Sequence, residues 1–535
     1  MAIVEDRVGV QHARLHGVEQ LPSRITQRLL STLAGHVVSS TPRAATTTAV
    51  YTGGSLADMP QSATDDVAHA VRVARGVQPG WAGTDIGERV QVLRRFHDLL
   101  LEHQDTVVDL IQAETGKARR HAFDECLEPA LTTGYYLRKG AKALRSRRLE
   151  GMMPFLVGAR QHRQPKGVVG IISPWNYPFA LAISDVVPAL LAGNAVVLKP
   201  DTQTSLSPLF GVELLRRAGV PEGVVQVVLG EGPVVGTSVV ENVDYVCFTG
   251  STRTGRDVAQ RAGARLIGCS LELGGKNPML VLDDADLDRA ARAAVSACFT
   301  NAGQVCLCAE RLYVHESVRA AFLDRFLARI GKLRLAASYE YDADIGSLTS
   351  ARQLQAVSRF VDDAKSKGAT VLTGGRARPD IGPYFYEPTV LTGVTKNMAC
   401  FAEETFGPVV AVYSFTSDDD ALAMANASEY GLNGCVFTRD VRRGRHVGSR
   451  LRVGSVNIND GFAAAYGSTD APMGGMGSSG LGRRHGVEGI QKYTETQAIA
   501  TQRAGLFPPP RWMPYRPFAR AVTATLRGLR KAGIR

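Results

Sequence analysis

Short apolar runs, each followed by a stretch of helical periodicity, constrain the fold of this 535-residue chain more than any other feature. Four of these runs lie at residues 167–172, 195–198, 224–228 and 245–248. Strands that are apolar throughout are covered on both faces, and strands that alternate with helices form parallel sheets. A second series of this kind begins near residue 278 and continues to about residue 459. The pattern predicts an α/β fold built on parallel sheets.

The composition excludes several kinds of protein. With 44% hydrophobic residues the chain can bury a large core, and its length indicates more than one domain. No apolar run is long enough to span a bilayer, and the early acidic residues are unlike a secretory signal. The eight cysteines follow neither a disulfide-scaffold nor a metal-ligand spacing. We therefore expect a cytoplasmic protein without a metal site.

The net charge of +11 is concentrated at the C-terminal end of the chain. Residues 503–535 contain eight Lys or Arg and no Asp or Glu, which leaves only +3 for the rest. A net charge of that size is ordinary for a soluble enzyme and does not indicate nucleic-acid binding. We therefore expect no nucleic-acid partner.

The most informative residue for function is Cys306, at the end of the run Phe-Thr-Asn-Ala-Gly-Gln-Val-Cys. A thiol attacks carbon effectively only as a thiolate, and a free cysteine is mostly protonated at neutral pH. It needs a base or an electropositive setting, and Glu272, in Leu-Glu-Leu-Gly-Gly-Lys, could activate either the thiol or a water molecule. A lone cysteine is more often a small buried residue, but the two motifs occurring together favour a nucleophile.

These two motifs resemble those of the NAD(P)-dependent, non-acylating aldehyde dehydrogenase superfamily, and the likeness extends from about residue 45 to about residue 500. The resemblance implies that Cys306 attacks an aldehyde carbon to give a thiohemiacetal. Hydride then leaves for C4 of the nicotinamide, and the remaining thioester is hydrolysed. It also implies that Glu272 is the general base for the hydrolytic water.

The resemblance further implies a domain organisation: two Rossmann-like α/β domains and a small antiparallel oligomerisation flap. The expected parts are an N-terminal segment (1–44), an NAD(P)-binding domain (45–146 and 167–276), a catalytic domain (277–459), the flap (147–166 and 488–503), a substrate and cofactor loop segment (460–487) and a basic tail (504–535). A homodimer or homotetramer is expected from the flap.

A glycine-rich turn after the run 245–248 is the candidate phosphate loop. Glycine lets backbone amides approach a diphosphate, and the following helix presents its positive N-terminal end. A turn of this kind is weak evidence by itself, but Gly250, Ser251 and Gly255 match the short version of the loop in the family. We expect these residues to bind the cofactor.

Lys199 and Thr202 bear on the choice between NAD and NADP. In the family the lysine contacts the adenosine ribose, and an acidic residue three positions later often holds the ribose hydroxyls. This chain has Thr202 there, which would not repel a 2′-phosphate as a carboxylate would. The sequence therefore predicts that NADP is preferred and that NAD is possible; an ordinary surface loop with dual specificity is the alternative.

The remaining site residues come from the resemblance. Asn176, in Ser-Pro-Trp-Asn-Tyr-Pro, would donate its amide to the developing oxyanion together with the backbone N–H of Cys306. Glu404 and Phe406 match the pair that positions the nicotinamide ribose and ring. Three further residues complete the expected cofactor-binding set: Ser173, Trp175 and Leu273.

The substrate is less closely specified than the reaction. The whole motif pattern is most similar to that of succinate-semialdehyde dehydrogenases, in which arginines hold the substrate carboxylate. This chain has Ser184 with Asp185, and Thr300, where those arginines are expected. The presumed substrate loop 461–469 is apolar and aromatic. The resemblance therefore indicates the succinate-semialdehyde dehydrogenase group, whereas the residues physically favour an uncharged aliphatic or aromatic aldehyde, and both substrates stay open at this point.

Two other functional classes are possible for such a chain. An enzyme that transfers the acyl group to coenzyme A is disfavoured by Glu272, and a non-catalytic binding protein is disfavoured because Cys306, Glu272 and Asn176 are all present. Cys308, two residues after the nucleophile, either packs in the core or forms a regulatory disulfide with Cys306.

The basic tail has its own pattern. At helical spacing its apolar residues share one face and its basic residues the opposite face: Phe518, Val522, Leu526 and Leu529 against Arg520, Arg527, Arg530, Lys531 and Arg535. A basic amphipathic helix can lie on an anionic membrane surface. Weak membrane contact is therefore one prediction; docking on the enzyme or disorder are the alternatives.

Overall fold

A computed structural model describes residues 21–151, 157–503, 509 and 511–533 of the chain. These residues fall into two units: Met1–Ala143 with Pro165–Tyr493, and Leu144–Gln164 with Thr494–Arg535. Parts of the expected N-terminal segment, flap and tail lie outside the described residues, namely 1–20, 152–156, 504–508, 510, 534 and 535.

The first sheet of the larger unit contains the four apolar runs that the sequence predicts as strands. Its strands lie in the order Gly480–Leu481, Gly268–Glu272, Tyr245–Thr249, Val168–Ile172, Ala195–Lys199 and Val225–Val227. The first of these is antiparallel to its neighbour and the others are parallel. Two of the inner strands, Val168–Ile172 and Ala195–Lys199, are buried along their whole length. Burial on both faces explains why these segments are apolar throughout.

Along the chain, the strands of the second sheet lie between Glu272 and the edge strand Gly480–Leu481 of the first sheet. Its strands lie in the order Thr370–Thr373, Thr389–Thr392, Val409–Phe415, Ala309–His315, Asn277–Val281, Asn433–Phe437 and Ser455–Ile458. The first pair is antiparallel and the other pairs are parallel. Two parallel sheets, each with one antiparallel edge strand, give the predicted two-part α/β fold.

Helices cover the sheets, and several begin after a residue whose side chain accepts an N–H of the first turn. These capping residues are Thr26, Asp85, Ser251, Asp286, Ser350, Ser417 and Asp440. The α-helices of the larger unit are Gln27–Ala34, Thr64–Gly83, Ile86–Glu102, Gln104–Thr115, Arg119–Leu144, Pro178–Leu191, Leu206–Arg217, Thr237–Asn242, Thr252–Ala264, Leu287–Phe299, Glu316–Ile330, Ala351–Ser366, Ala399–Ala402, Asp418–Asn426, Val441–Ser449, Ala463–Tyr466 and Gly486–Gln491.

Short elements complete the larger unit. A hairpin pairs Ala44–Ala49 with Gly54–Pro60, and a two-residue ladder pairs Tyr430–Gly431 with Met476–Gly477. A π-helical turn covers Gly232–Gly236, and a 3₁₀ turn covers Thr300–Gly303. The aromatic rings of Phe299, Phe322 and Phe326 stack in the core beside the second sheet.

The order of strands in the first sheet creates a crevice at its carboxyl edge. The strand that comes first along the chain, Val168–Ile172, lies between Ala195–Lys199 and Tyr245–Thr249. The strand order therefore reverses direction at this strand. Open α/β sheets bind ligands in the crevice at the carboxyl ends of the strands beside such a reversal. Ser173 follows one of the two strands at this point, and Gly250 follows the other.

The smaller unit contains a three-stranded sheet in the order Thr494–Gln502, Val157–Pro165 and Arg147–Leu149, and the helix Tyr515–Lys531. The last two strands pair antiparallel. The flap expected from 488–503 therefore begins as a strand only at Thr494, because residues 486–491 form a helix of the larger unit. The helix of the tail matches the amphipathic segment seen in the sequence.

Candidate active site

Glu272 lies at the carboxyl end of the strand Gly268–Glu272, next to Thr249 on the neighbouring strand. Its side chain is buried, and neither carboxylate oxygen has a hydrogen-bond partner among the described residues. Burial, which disfavours the charged form, raises the pKa of the Glu272 carboxyl to about 7. A base that is half ionised near neutral pH is well matched to taking a proton from water.

The backbone of the loop that carries Cys306 is strained. Asn301, Ala302 and Gly303 have φ angles of 51°, 51° and 75°, in the left-handed region that L-residues rarely adopt. A Cβ atom on Gly303 would lie 2.0 Å from the carbonyl oxygen of Gly407, so no side chain fits there. Strain of this kind persists where surrounding contacts over-determine the backbone, and it is frequent at functional sites.

Two amide side chains hold the cysteine loop in place. Asn277 donates from Nδ2 to the carbonyl oxygens of Cys306 and Cys308, at 2.7 and 2.8 Å. Gln304 donates from Nε2 to the carbonyl of Asn301 at 3.1 Å and accepts the N–H of Thr349 at 3.0 Å. The sequence analysis missed Asn277, although it directly follows the Gly-Gly-Lys motif of Glu272.

Asn176 reaches the same place from the first sheet. Its Nδ2 donates to the carbonyl of Gln304 at 3.0 Å, and its side chain is buried. The Lys117 ammonium donates to the backbone carbonyl of Asn176 at 2.7 Å and forms a buried ion pair with Glu125. Glu125 also accepts the N–H of Phe179 at 2.8 Å. Nothing in the sequence distinguished Lys117 and Glu125 from solvated charges of the helices around them.

Two cavities meet at Cys306. The larger has a volume of about 310 Å³ and the smaller about 180 Å³. Asn176, Leu181 and Cys306 line both of them, and Glu272 lines the smaller. A thiol between two cavities can contact a molecule in each cavity. Such a placement brings two reactants close together, as hydride transfer between them requires.

The smaller cavity lies at the crevice of the first sheet and has the features of a dinucleotide site. Among the expected cofactor residues it is lined by Trp175, Gly250, Ser251, Leu273, Glu404 and Phe406. The helix Thr252–Ala264 begins beside it and presents its N-terminal amides, which favour a diphosphate. Gly255 allows this helix to approach Leu273 closely, since a Cβ there would lie 2.4 Å from Cδ2 of Leu273. These residues fit a nicotinamide dinucleotide.

Glu404 and Phe406 flank this cavity on the side of the second sheet. Glu404 accepts the N–H of Gly275 at 2.8 Å, and burial raises the pKa of its carboxyl to about 8. The ring of Phe406 meets the edge of Trp175 with the centroids 5.4 Å apart. The N–H of Phe406 donates to Glu310 at 2.9 Å, which fixes the turn.

Ser173, Lys199 and Thr202 do not line the smaller cavity. Lys199 is buried at the end of its strand, where burial lowers the pKa of its ammonium group, and Nζ donates to the carbonyl of Pro200 at 3.3 Å. Asp201, which was not among the expected site residues, accepts the N–H of Gln203 through Oδ1 at 3.0 Å. Thr202 is half-buried and brings no charge of its own.

The larger cavity is mainly apolar. Its lining residues are Asp124, Leu127, Glu128, Leu131, Asn176, Tyr177, Leu181, Ser296, Thr300, Val305, Cys306, Leu307, Asp460, Gly461, Phe462, Ala463, Tyr466, Gly467, Thr469 and Met473. Three of these are acids, and this set of described residues includes no Lys, Arg or His. Two of its three aromatic side chains, Phe462 and Tyr466, come from the loop 461–469, whose role as a substrate loop stays a prediction.

The two positions without the expected arginines have other partners. The hydroxyl of Thr300 donates to the carbonyl of Ser296 at 2.8 Å, and the hydroxyl of Ser184 donates to Glu128. Cys308 is buried, and its Sγ lies 3.8 Å from the carbonyl oxygen of Thr300. The eight cysteines are free thiols.

The sequence matches the model of the aldehyde dehydrogenase family over residues 37–499, and the chain belongs to this family. It is 51% identical over 482 residues to a protein of Mycolicibacterium smegmatis that is provisionally named a succinate-semialdehyde dehydrogenase of the NADP(+) type. That match covers 90% of this chain and 93% of the relative. The family prediction, and with it the class of NAD(P)-dependent aldehyde dehydrogenases, is confirmed.

More distant relatives agree. The succinate-semialdehyde dehydrogenase [NADP(+)] 1 of Schizosaccharomyces pombe is 36% identical, over 83% of this chain and 89% of that protein. A solved NADP-dependent enzyme of Escherichia coli has a TM-score of 0.84 at 35% identity, covering 87% of this chain and 96% of that one. Betaine aldehyde dehydrogenase of Staphylococcus aureus, solved with NAD+, has a TM-score of 0.84 at 30% identity, covering 89% and 96%. The predicted fold class is thereby confirmed.

The described residues lack two further features. They contain no group of three or more His, Cys, Asp or Glu side chains arranged to hold a metal ion. Within the same residues no helix is long and apolar enough to cross a membrane.

The protonation state of Cys306 is open to a direct test. Burial, with Glu272 and Glu404 nearby, raises the pKa of the Cys306 thiol to about 12. In the enzyme without cofactor, the rate of Cys306 alkylation by iodoacetamide should therefore rise about tenfold per pH unit between about pH 7 and 9. Peptide mapping by mass spectrometry measures this rate for each cysteine. A plateau below about pH 8 would show that the thiol ionises far more easily than its surroundings indicate.

Proposed function

We propose that this protein oxidises uncharged aliphatic or aromatic aldehydes to carboxylic acids, with NADP+ as the preferred hydride acceptor and NAD+ as a possible one. The observation that carries the proposal is the larger cavity, which ends at Cys306 and is apolar apart from a few polar and acidic side chains. An apolar aldehyde gains from burial in such a cavity, whereas an anion would lose its hydration without a cationic partner.

In the proposed mechanism the Cys306 thiol, which Glu272 can help to deprotonate, adds to the aldehyde carbon. The negative charge that develops on the former carbonyl oxygen is stabilised by the Asn176 amide, which lines both cavities. A dinucleotide held in the smaller cavity would supply the hydride acceptor, and loss of the hydride leaves a thioester on Cys306. Glu272, once any proton taken from the thiol has passed to solvent, takes a proton from water. The hydroxide adds to the thioester carbon, the C–S bond breaks, and the acid is released with Cys306 as the thiolate.

The names of the relatives suggest succinic semialdehyde, but the cavity supports an uncharged substrate better. Asp124 and Asp460 line it, and Glu128 is already occupied by Ser184, Thr132 and His485. A substrate carboxylate would lie among like charges, which costs free energy unless cations compensate. Succinic semialdehyde oxidation is therefore the alternative function, supported by the relatives and not by the side chains of the cavity.

Turnover of three aldehydes tests the substrate class. We expect kcat/KM for hexanal and benzaldehyde to exceed that for succinic semialdehyde by at least about tenfold, because nothing offsets the desolvation of the carboxylate. NADPH absorbance gives the rates.

Asp124→Asn is the matched variant for this test. Removing one partly solvated negative charge should raise kcat/KM for succinic semialdehyde by about two- to fivefold and leave hexanal unchanged. Preference of the wild-type enzyme for succinic semialdehyde would overturn the proposed substrate class. Failure to oxidise any of the three aldehydes would overturn the proposed reaction.

The proposed preference for NADP+ rests on Thr202 and on the NADP(+) names of the relatives. Thr202→Glu should lower kcat/KM for NADP+ by at least about tenfold, because a carboxylate repels the 2′-phosphate, while NAD+ is affected little. Thr202→Gln, of the same size without charge, is the control and should retain the preference. Equal losses with both cofactors, or a wild-type enzyme that prefers NAD+, would contradict this role of Thr202.

We also propose a homodimer or homotetramer in the cytoplasm. The three-stranded sheet of the smaller unit is the expected contact surface, since edge strands readily pair with another chain. The free thiols favour a reducing compartment.

The tail is proposed to make weak contact with anionic membrane surfaces. Its helix Tyr515–Lys531 exposes all of its Arg and Lys side chains, and the chain beyond residue 503 contains no acid. Phe518 is buried, but Trp512, Tyr515 and Leu526 are exposed at 78%, 68% and 44%. Aromatic and basic side chains of this kind favour the headgroup region. The family match ends at residue 499, so the tail lies outside it.

Vesicle sedimentation tests the tail. The full-length enzyme should sediment with phosphatidylserine-containing vesicles, remain in solution with pure phosphatidylcholine, and be released by salt, because each basic residue near the surface adds about 1 kcal/mol. The triple variant Arg520→Gln, Arg527→Gln and Lys531→Gln should lose this binding and keep the aldehyde dehydrogenase activity. Equal sedimentation of the variant and the wild type would contradict the proposal.

A further inference from the structure

A buried ion pair lies close to the proposed general base. Arg484 donates from a guanidinium nitrogen to Asp185 at 2.6 Å, and both side chains are only 6% exposed. Asp185 also accepts from Lys492 at 3.1 Å and from the Tyr493 hydroxyl at 2.8 Å. Two cations and one hydroxyl thus surround a single carboxylate, so this cluster carries a net positive charge inside the protein.

The segment of Arg484 runs directly past Glu272. The backbone of Arg484 pairs with that of Met473 through two hydrogen bonds of 2.7 and 2.9 Å. The next residue, Gly474, lies against the general base, since a Cβ there would be 3.2 Å from Oε1 of Glu272. The same Cβ would lie 3.0 Å from Cδ of Arg483, which places a further cationic side chain beside the carboxylate.

The cluster also contacts the strand of Glu272. Lys492 lies 3.4 Å from the hydroxyl of Ser270, two residues before Glu272 on the same strand. The charged and titratable groups that face Glu272 are therefore Arg483 and Arg484 from one segment, Lys492 from the C-terminal end of the larger unit, and Asp185 from the helix Pro178–Leu191. The Cys306 thiol and the Glu404 carboxyl line the smaller cavity together with Glu272.

We propose that Arg484, fixed by Asp185, is a positioning residue that sets how readily Glu272 takes the proton of the hydrolytic water. The inference rests on the proposed function. In this step Glu272 accepts a proton from water, the hydroxide adds to the thioester carbon, and the C–S bond breaks. The carboxylic acid is released, Cys306 leaves as the thiolate, and the proton returns from Glu272 to the thiolate or to solvent.

The charges act on Glu272 in opposite directions. Because neither of its oxygens has a hydrogen-bond partner among the described residues, its ionisation depends on burial and on these neighbouring charges. Burial raises the pKa of Glu272, Arg484 and Lys492 lower it, and Asp185 raises it. The balance leaves about half of the Glu272 carboxyl ionised near neutral pH despite its burial. Removal of Arg484 should therefore raise the pKa of Glu272, and neutralisation of Asp185 should lower it.

A purely structural role makes a different prediction. Arg484 also donates to the carbonyl of Leu181 at 3.1 Å, and Leu181 lines both cavities. If this contact were the whole role, variants at Arg484 would change thermal stability or substrate affinity. They would not move the pH dependence of hydrolysis, and Asp185→Asn would not move it in the opposite direction.

The test follows hydrolysis of the acyl-enzyme directly. The wild type and the variants Arg484→Met, Arg484→Lys and Asp185→Asn are mixed with one equivalent of hexanal and excess NADP+, and samples are quenched with acid. Intact-protein mass spectrometry then gives the decay rate of the acyl group across the pH range. Glu272→Gln is included to show that the acidic limb of the profile belongs to Glu272. Thermal midpoints report any loss of folding separately.

We expect the wild-type decay rate to rise through a midpoint near the pKa of Glu272. The midpoint should move up by about 0.5 unit or more in Arg484→Met, move down in Asp185→Asn, and stay close to that of the wild type in Arg484→Lys. Coincident midpoints, or shifts of the same sign in Arg484→Met and Asp185→Asn, would overturn the inference while leaving the proposed function intact. A wild-type enzyme that forms no acyl-enzyme would overturn the proposed function itself.

Discussion

The side-chain amide of Asn277 is the contact on which the site depends most. Asn277 begins the strand Asn277–Val281 of the second sheet, five residues after Glu272 ends a strand of the first. Its Nδ2 holds the carbonyls of Cys306 and Cys308, and its Oδ1 accepts the N–H of Asn433 at 3.0 Å. One residue thus fixes the nucleophile loop to the segment that carries the general base. The strained positive φ angles of the loop persist because such contacts fix its backbone conformation.

Burial then gives the site its chemistry. Burial raises the pKa values of the Glu272, Glu404 and Cys306 side chains. The thiol is therefore mostly protonated at neutral pH, and the Glu272 carboxylate is a stronger base than in water. The cationic cluster around Asp185 limits this effect, so that Glu272 still titrates near neutral pH. Among the described residues that line the larger cavity there is no Lys, Arg or His, whereas the names of the relatives refer to an anionic aldehyde.

Local pattern made the fold and the motif residues predictable. The buried strands read as apolar runs because both faces are covered, and their bounds differ from the expected ones by a residue or two. Cys306, Glu272 and Asn176 could be predicted because each lies in a distinctive local sequence. The ion pair between Arg484 and Asp185 could not be predicted, because the two residues lie 299 positions apart and only the tertiary structure brings them together. Burial, the largest influence on the pKa values of Glu272, Glu404 and Cys306, also could not be inferred from local sequence.

The most direct test of the account is to trap the covalent intermediate in the Glu272→Gln variant. The account predicts that one equivalent of hexanal and NADP+ gives one NADPH per subunit, together with a hexanoyl group on the Cys306 peptide that persists because no base activates water. The wild type should lose the same group and continue to turn over. Absence of the acyl group, its appearance on another residue, or unimpaired turnover of the variant would contradict the central claim that Cys306 and Glu272 act as nucleophile and base.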